Sequence, residues 1–253
     1  MLDMGFLPTV RRLLRLIPAK RQTLFFSATI PSEIAKLAGE MLHDPVRVDL
    51  APAVGPAVGI TQTVYSIDQQ RKGDLLVELL KDNNIYSAIA FTRTKARANR
   101  LAAHLLKHDI AADRIHGDRS QAQRTRALAD FKRGKFRVLV ATDIAARGID
   151  IAELGHVVNF DVPMVPEDYV HRVGRTARAK MTGDAITFVS ADEEKYFAQV
   201  ERTLGKRLDR SKTPVLPPRD LSAAPEPAER RYIDPRSPRG RAAAGNDRGR
   251  ARR

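Results

Sequence analysis

The sequence predicts an α/β fold in which a parallel sheet is covered by helices on both faces. Three observations carry this. Short, continuous apolar runs such as residues 87–91 and 137–141 recur along the chain. Amphipathic helical segments separate them, and the two kinds alternate. Strands that are apolar along their whole length must be buried on both faces, which is the mark of a parallel sheet under two helix layers. Ligands in such folds bind at loops beyond the carboxyl ends of the strands.

Taken in order, residues 6–17 place Val10, Leu13, Leu14 and Ile17 at helical spacing. Residues 23–27 form a short apolar run that reads as a buried strand. Pro31 and Ser32 open a helix that runs to Leu42, and residues 46–48 read as another short strand. Residues 51–60 are rich in Pro, Gly and Ala and mark a linker. Beyond it, strands are predicted over 62–67, 87–91, 112–115, 137–141, 156–160 and 185–189. Helices are predicted over 71–81, 95–107, 121–133, 167–173 and 193–204. The pattern stops near residue 209, and seven of the fifteen prolines lie beyond it. That tail has too little apolar surface to offset its ordering entropy and is predicted to be disordered. The expected organisation is therefore 1–50, a linker over 51–60, a domain over 61–208 and a tail over 209–253.

Charge narrows the function. The formal net charge is +14, which points to an anionic partner such as nucleic acid or a membrane surface. Residues 210–253 hold 12 Lys/Arg against 5 Asp/Glu, so half of that charge sits in the tail. Cysteine is absent, which excludes disulfides and thiolate metal sites. The six histidines show no metal-ligand spacing. No run of 18 apolar residues occurs. Asp3, Gly5 and Pro8 argue against a transit peptide at the start, and the expected setting is soluble and cytoplasmic.

The densest chemistry lies in His171-Arg172-Val173-Gly174-Arg175-Thr176-Ala177-Arg178. Three arginines recur every third residue, and like charges at that spacing repel on a shared face. An anion relieves the repulsion, and guanidinium groups match phosphate oxygens through paired hydrogen bonds. The plainer alternative is a solvated basic helix end. Two strands also run into polar signatures. Residues 138–141 lead into Thr142-Asp143-Ile144-Ala145-Ala146-Arg147-Gly148-Ile149-Asp150, and Phe25-Phe26 leads into Ser27-Ala28-Thr29. Hydroxyls at strand ends can bond phosphates or neighbouring loops; taken alone, the plainer reading of both stretches is helix capping.

Together these stretches resemble the C-terminal part of a DEAD-box RNA helicase, of the bacterial RhlE-like branch. Met1-Leu2-Asp3-Met4-Gly5-Phe6 resembles the residues that follow the family's Asp-Glu-Ala-Asp box. Ser27-Ala28-Thr29 resembles motif III, and Ala90-Phe91-Thr92-Arg93-Thr94 motif IV. His116-Gly117-Asp118, with Gln121 and Arg124, is similar to the RNA-facing segment. Residues 141–150 resemble motif V and residues 171–178 motif VI. The departure is Ala177, where the family usually has Gly.

The resemblance implies a RecA-like domain preceded by the remnant of a first one. It implies ATP with Mg²⁺ as cofactor and single-stranded or short duplex RNA as partner, bound irrespective of sequence. The ribosome or an RNA-degradation machinery is implied as a possible assembly. Arg175 and Arg178 would reach the γ-phosphate, and His171 would bridge toward motif III and the metal carboxylates. Asp150 and Gly148 would contact the nucleotide, Asp150 at the ribose. Thr92, Arg93, Gly117, Gln121, Arg124, Thr142 and Arg147 would line the RNA backbone or the coupling network beside it. Ser27, Thr29 and Asp143 would couple nucleotide state to RNA grip, and Arg172 would serve as a structural ion-pair partner.

No Gly-x-x-x-x-Gly-Lys-Ser/Thr and no Asp-Glu-x-Asp occurs, so the phosphate loop and metal carboxylates are expected from residues that are not in this sequence. The expected chain is N-terminally truncated and inactive as an ATPase by itself. The rival readings are a non-catalytic RNA-binding or regulatory fragment, and a RecA-like motor acting on DNA.

Overall fold

A computed structural model describes residues 7–27, 30, 32–49, 59–81, 85–146, 154–176 and 183–218. The predicted tail beyond residue 218, the linker over 50–58, and Thr29, Arg147, Gly148, Asp150 and Arg178 lie outside the described residues.

Seven strands form one sheet: β1 (Ile60–Ser66), β2 (Ala88–Phe91), β3 (Ala112–Ile115), β4 (Val138–Ala141), β5 (His156–Asn159), β6 (Gly183–Val189) and β7 (Arg210–Ser211). Their spatial order is β3-β4-β2-β5-β6-β1-β7, and every pairing is parallel. This is the predicted RecA-like architecture. The helices are α1 (Leu7–Leu14), α2 (Ser32–Met41), α3 (Lys72–Lys81), α4 (Lys95–Lys107), α5 (Gln121–Lys132), α6 (Asp143–Ala146), α7 (Pro166–Val173) and α8 (Glu194–Leu204).

The strand sequences are apolar throughout because both faces are covered. In β2, Ala88 and Ala90 pack with Leu75, Leu76 and Leu80 of α3 and Leu101 and Leu105 of α4. Ile89 and Phe91 point the other way, onto Ala127 and Phe131 of α5. The same second face continues beneath α7 and α8, where Val64, Ala185 and Val189 meet Tyr169, Val173, Phe197 and Val200. Each fully buried Leu or Phe contributes roughly 1.5–3 kcal/mol relative to exposure.

Two predicted strands are absent. Residues 21–27 and 45–49 are irregular, with Phe26 86% and Val46 91% exposed. A strand needs a neighbour to pair its backbone, and among the described residues neither stretch has one. Helices α1 and α2 are present beside them, joined by Arg11 donating to Glu40 at 2.6 and 3.0 Å. At the other end, the sheet gains β7 just past the predicted limit of regular structure, and Leu216 packs on the core.

Candidate functional site

The parallel strands deliver the polar stretches to one end of the sheet. Thr92 and Arg93 follow β2, His116 and Gly117 follow β3, Thr142 follows β4, and Phe160 to Val162 follow β5. These four strands are neighbours in the order β3-β4-β2-β5, so the four loops lie side by side.

At the β3–β4 edge, Gly117 and Gln121 are exposed, and Thr142 and Arg124 are half-buried. A Cβ added to Gly117 would meet nothing within 4 Å. Ser120 caps α5 in a reciprocal box: its hydroxyl accepts from Gln123 N at 3.3 Å, and its own N–H donates to the Gln123 side chain at 3.0 Å. Thr142 N–H donates to Ile115 O at 3.2 Å, tying the two strand ends. Arg124 donates to Ala145 O at 3.1 Å and to Gln121 Oε1 at 3.2 Å, joining α5 to α6. The four predicted RNA-facing residues Gly117, Gln121, Arg124 and Thr142 are thus brought together.

Thr92 and Arg93 are placed differently from a direct RNA contact. Thr92 is fully buried, and its hydroxyl donates to Thr94 O at 3.3 Å. The Arg93 guanidinium turns inward, donating to Glu193 Oε1 at 2.7 Å and to Val162 O at 3.2 Å. Their neighbourhood is a buried knot of five charges: Lys72, Arg93, Arg97, Asp161 and Glu193. Lys72 donates to Glu193 Oε2 and, at 2.9 Å, to Phe160 O. Arg97 donates to Asp161 Oδ1 at 2.5 Å, and Arg93 N–H donates to Asp161 Oδ2 at 2.8 Å. Burial opposes the ionised form of Asp161, but Lys72, Arg97 and Arg93 overcome it and hold its carboxyl below the usual carboxylate range. Sequence reasoning missed this knot, since Lys72 and Glu193 are 121 positions apart.

Helix α7 carries the arginine-rich motif. It opens with Pro166 in its first turn and closes at Gly174, where a Cβ would stand 3.1 Å from Val170 O. One face is buried: Tyr169, Arg172 and Val173. Arg172 grips Asp143 with two bonds, Nε at 2.6 Å and Nη2 at 2.7 Å, and gives Nη1 to Asp161 O at 2.6 Å and Asn159 Oδ1 at 3.2 Å. Its guanidinium also lies 5.1 Å from the Phe91 ring centroid. Burial alone would push its pKa down; the charge and hydrogen bonds of Asp143, with Asp168 and Asp161, leave it raised. Arg172 is therefore a structural ion, as one reading of the motif expects. Beneath it, the Tyr169 hydroxyl donates to Gln62 Oε1 at 3.0 Å, and burial pushes its pKa up to about 12.

An adjoining side of α7, which shares Arg172 with that face, borders a hollow lined by Phe91, Asp143, Ala146, Asp168, His171, Arg172 and Arg175. His171 is exposed and Arg175 half-buried. An imidazole and a guanidinium here are donors suited to phosphate oxygens. For a metal the outcome differs: among the described residues no three His, Cys, Asp or Glu side chains could hold one. Ser27 is exposed at the end of its irregular stretch, and no helix among the described residues is long and apolar enough to cross a membrane.

Two histidines give the domain an acid sensitivity. His116 is buried; its Nδ1 accepts from Asp118 N–H at 3.3 Å and its Nε2 faces Asn99 Oδ1 at 3.1 Å, which fits a neutral ring protonated on Nε2. Burial lowers its pKa against the pull of Asp118, with Arg114, Arg119 and Lys95 helping. Burial likewise lowers that of His104, with His108 and Lys107 adding to the shift and Asp74 opposing it. The unfolded chain then binds these protons more readily, so the stability is present above the ordinary histidine value and is lost as pH falls through the lowered folded values. The midpoint of urea unfolding is expected to drop between about pH 7.5 and pH 5, and the pair His104→Gln/His116→Gln should flatten that drop. An unchanged drop in the double variant would remove both histidines as its cause.

Comparison with known proteins places the chain among its relatives. Residues 71–180 match the family described as helicase conserved C-terminal domain. The chain is 44% identical over 216 residues to the DEAD-box ATP-dependent RNA helicase CshA of Geobacillus kaustophilus, covering 85% of this chain and 46% of that protein. It is 43% identical to CshA of Bacillus subtilis, covering 44% of it. The chain thus spans less than half the length of these curated relatives. Among solved structures it resembles E. coli DEAD-box protein SrmB bound to regulator of ribonuclease activity A, at 38% identity and TM-score 0.59, covering 60% of this chain and 91% of that one. It also resembles S. cerevisiae Dbp5 bound to RNA and ADP BeF3, at 30% identity and TM-score 0.72, covering 79% of this chain and 54% of that one. By these similarities the chain belongs to the DEAD-box helicase family.

Proposed function

We propose that this chain is the C-terminal portion of an ATP-dependent RNA helicase, of the RhlE-like branch, acting in the cytoplasm. Residues 61–208 form its second RecA-like domain, 1–50 belong to the first, 51–60 link them and 209–253 are a basic tail. The observation that carries the reading is the division of labour on α7. Arg172 is locked on Asp143 in one wall of the hollow, and His171 and Arg175 line the same hollow beside that pair.

ATP with Mg²⁺ would be held mainly by a first RecA-like domain carrying a phosphate loop and an Asp-Glu-Ala-Asp box, with Arg175 and Arg178 reaching it from this chain. The nucleotide supplies the phosphoryl group whose departure resets the grip on RNA. Arg175 and Arg178 donate to the terminal phosphate, and His171 bridges toward the first domain. Gly148 and Asp150 contact the nucleotide, and Ser27, Thr29 and Asp143 relay its state. Gly117, Gln121, Arg124, Thr142 and Arg147 hold the RNA backbone, with Thr92 and Arg93 behind them shaping the loop. Contacts of this kind read phosphates and 2′-hydroxyls rather than bases, so binding is largely sequence-independent. SrmB's complex with regulator of ribonuclease activity A supports a protein partner for this chain.

The test is anisotropy of a labelled single-stranded RNA against salt. Gln121→Ala and Arg124→Ala are expected to weaken binding equally for unrelated sequences. Deleting residues 219–253 should flatten the salt dependence, each lost phosphate contact removing roughly 0.7 log units per decade on single strands. Affinity indifferent to both changes, or tied to one base sequence, would overturn the reading.

A further inference from the structure

We propose that His116 is a positioning residue whose neutral ring holds the loop after β3 in its RNA-gripping form, so that protonating it releases RNA; this rests on the function proposed above. The ring is buried where that loop begins. Asn99 Oδ1 accepts from Arg114 Nε at 2.6 Å. A guanidinium only donates, so this Asn99 atom is an oxygen, and His116 Nε2, 3.1 Å from it, carries the ring proton. Nδ1 is left to accept, and Asp118 N–H donates to it at 3.3 Å. Only a neutral ring satisfies both neighbours. The same turn is closed by Arg119 N–H donating to His116 O at 3.0 Å. It leads directly into Ser120, the cap of α5.

A second proton has one place to go, Nδ1, where it meets the Asp118 N–H. Two donors cannot share a hydrogen bond, so the turn over 116–119 must open. That turn presents Gly117, which has open space around it, and sets the start of α5, which carries Gln121 and Arg124. The charges around the ring come from three sides. Arg114 on β3, Arg119 in the loop and Lys95 on α4 oppose the proton, and Asp118 favours it. Asp118 is itself paired with Lys95 at 2.8 Å. Asp113 accepts from Arg114 N–H at 2.8 Å and from Arg119 Nη2 at 3.4 Å. Both nearby carboxylates are therefore engaged, and burial keeps the ring neutral at about pH 7. Charge alone predicts the opposite behaviour, because an added cation beside the RNA edge attracts phosphate. The sign of the pH dependence separates the two.

The test is anisotropy of a labelled single-stranded oligouridylate with the 253-residue chain, at fixed ionic strength, from about pH 7.5 to pH 5. Circular dichroism confirms the fold at each point. Wild-type affinity is expected to fall about tenfold on acidification, within the range typical of linked sites. His116→Ala removes the acceptor and should bind about tenfold more weakly than wild type even at the neutral end, with no further acid loss. His116→Asn keeps an acceptor near the place of Nδ1 and does not titrate. It should bind more tightly than His116→Ala at the neutral end and show no acid loss. His104→Gln removes the other buried-shifted histidine and should retain the wild-type acid loss. Linkage supplies a second measurement. RNA that prefers the neutral ring lowers the His116 titration midpoint, followed by NMR of the labelled imidazole, by about one pH unit for a tenfold preference. Phosphate acting through charge alone would raise it. If His116→Ala fails to fold, the flat profile of His116→Asn and the lowered midpoint carry the test. Affinity that holds or rises on acidification, a midpoint raised by RNA, or an acid loss that persists in His116→Asn overturns the proposal alone. Acid loss that vanishes in His104→Gln overturns His116 as its carrier. No binding at the neutral end overturns the RNA-binding reading, and this proposal falls with it.

Discussion

In a two-domain protein with an intact first RecA-like domain, Arg175→Ala and Arg178→Ala are each expected to cut RNA-stimulated ATP hydrolysis by roughly 10³- to 10⁵-fold, the range typical of arginine fingers. The terminal phosphate redistributes charge as its bond breaks, and a guanidinium already in place stabilises that charge without reorganising. Arg175 is suited to this because α7 ends beside it: its N–H closes the turn onto Arg172 O at 3.0 Å, and Arg172 is itself locked on Asp143. Arg178→Lys keeps the charge but loses the planar fork, so it should remain severely impaired. Nucleotide-free RNA affinity should stay near wild type, since the RNA contacts are assigned to the β3–β4 edge. Hydrolysis that survives in all three variants would detach this motif from the γ-phosphate. An RNA affinity that fell as far as hydrolysis would do the same.

The largest stability effect is expected at Lys72. Replacing it with Met removes the buried cation shared by Glu193 and Asp161, both fully buried, and leaves Glu193 to Arg93 and Asp161 to Arg97 alone. Breaking a buried ion pair from one side costs about 3–5 kcal/mol, because the remaining charge is uncompensated. Urea unfolding followed by circular dichroism should show that loss. Adding Glu193→Gln to Lys72→Met should recover part of it, since the carboxylate that loses the Lys72 ammonium is then neutral and the knot regains its original net charge. If the single variant unfolded at the wild-type midpoint, or the double variant proved weaker than the single, the knot would not be the source of stability described here.

The RecA-like sheet and its helices were legible in the sequence because their signals are local. The helix predicted over 95–107 is α4, and the strand predicted over 112–115 is β3. Thr94 caps α4 with its hydroxyl accepting from Arg97 N–H at 3.2 Å, a signal carried within four residues. Apolar runs in 23–27 and 46–48 gave the same local signal, yet neither pairs with a strand among the described residues, because pairing needs a neighbour that the local sequence cannot announce. The short β7 was missed for the opposite reason: Arg210–Ser211 has no apolar run, and its register is set by Val64 and Tyr65. At the site, motif spacing located Gly117, Gln121, Thr142 and His171 on exposed or half-buried positions. It could not show that Arg93 turns inward, since its partners Val162 and Glu193 lie 69 and 100 positions away.

The order of the sheet also sets a timetable for synthesis. Strand β1 leaves the ribosome first among the seven, yet its partner β6 begins at Gly183, opposite Ile60. At translation rates of about 5–20 residues per second, the roughly 120 intervening residues take about 6–25 s to appear. For that interval Val64, destined for complete burial, has no sheet to join. Strands β2, β3 and β4 are complete well before, and can assemble as a nascent three-stranded unit. A pause placed in translation after Ala141 would favour that early unit, whereas one placed between β5 and β6 would prolong the exposure of β1 and invite chaperone capture.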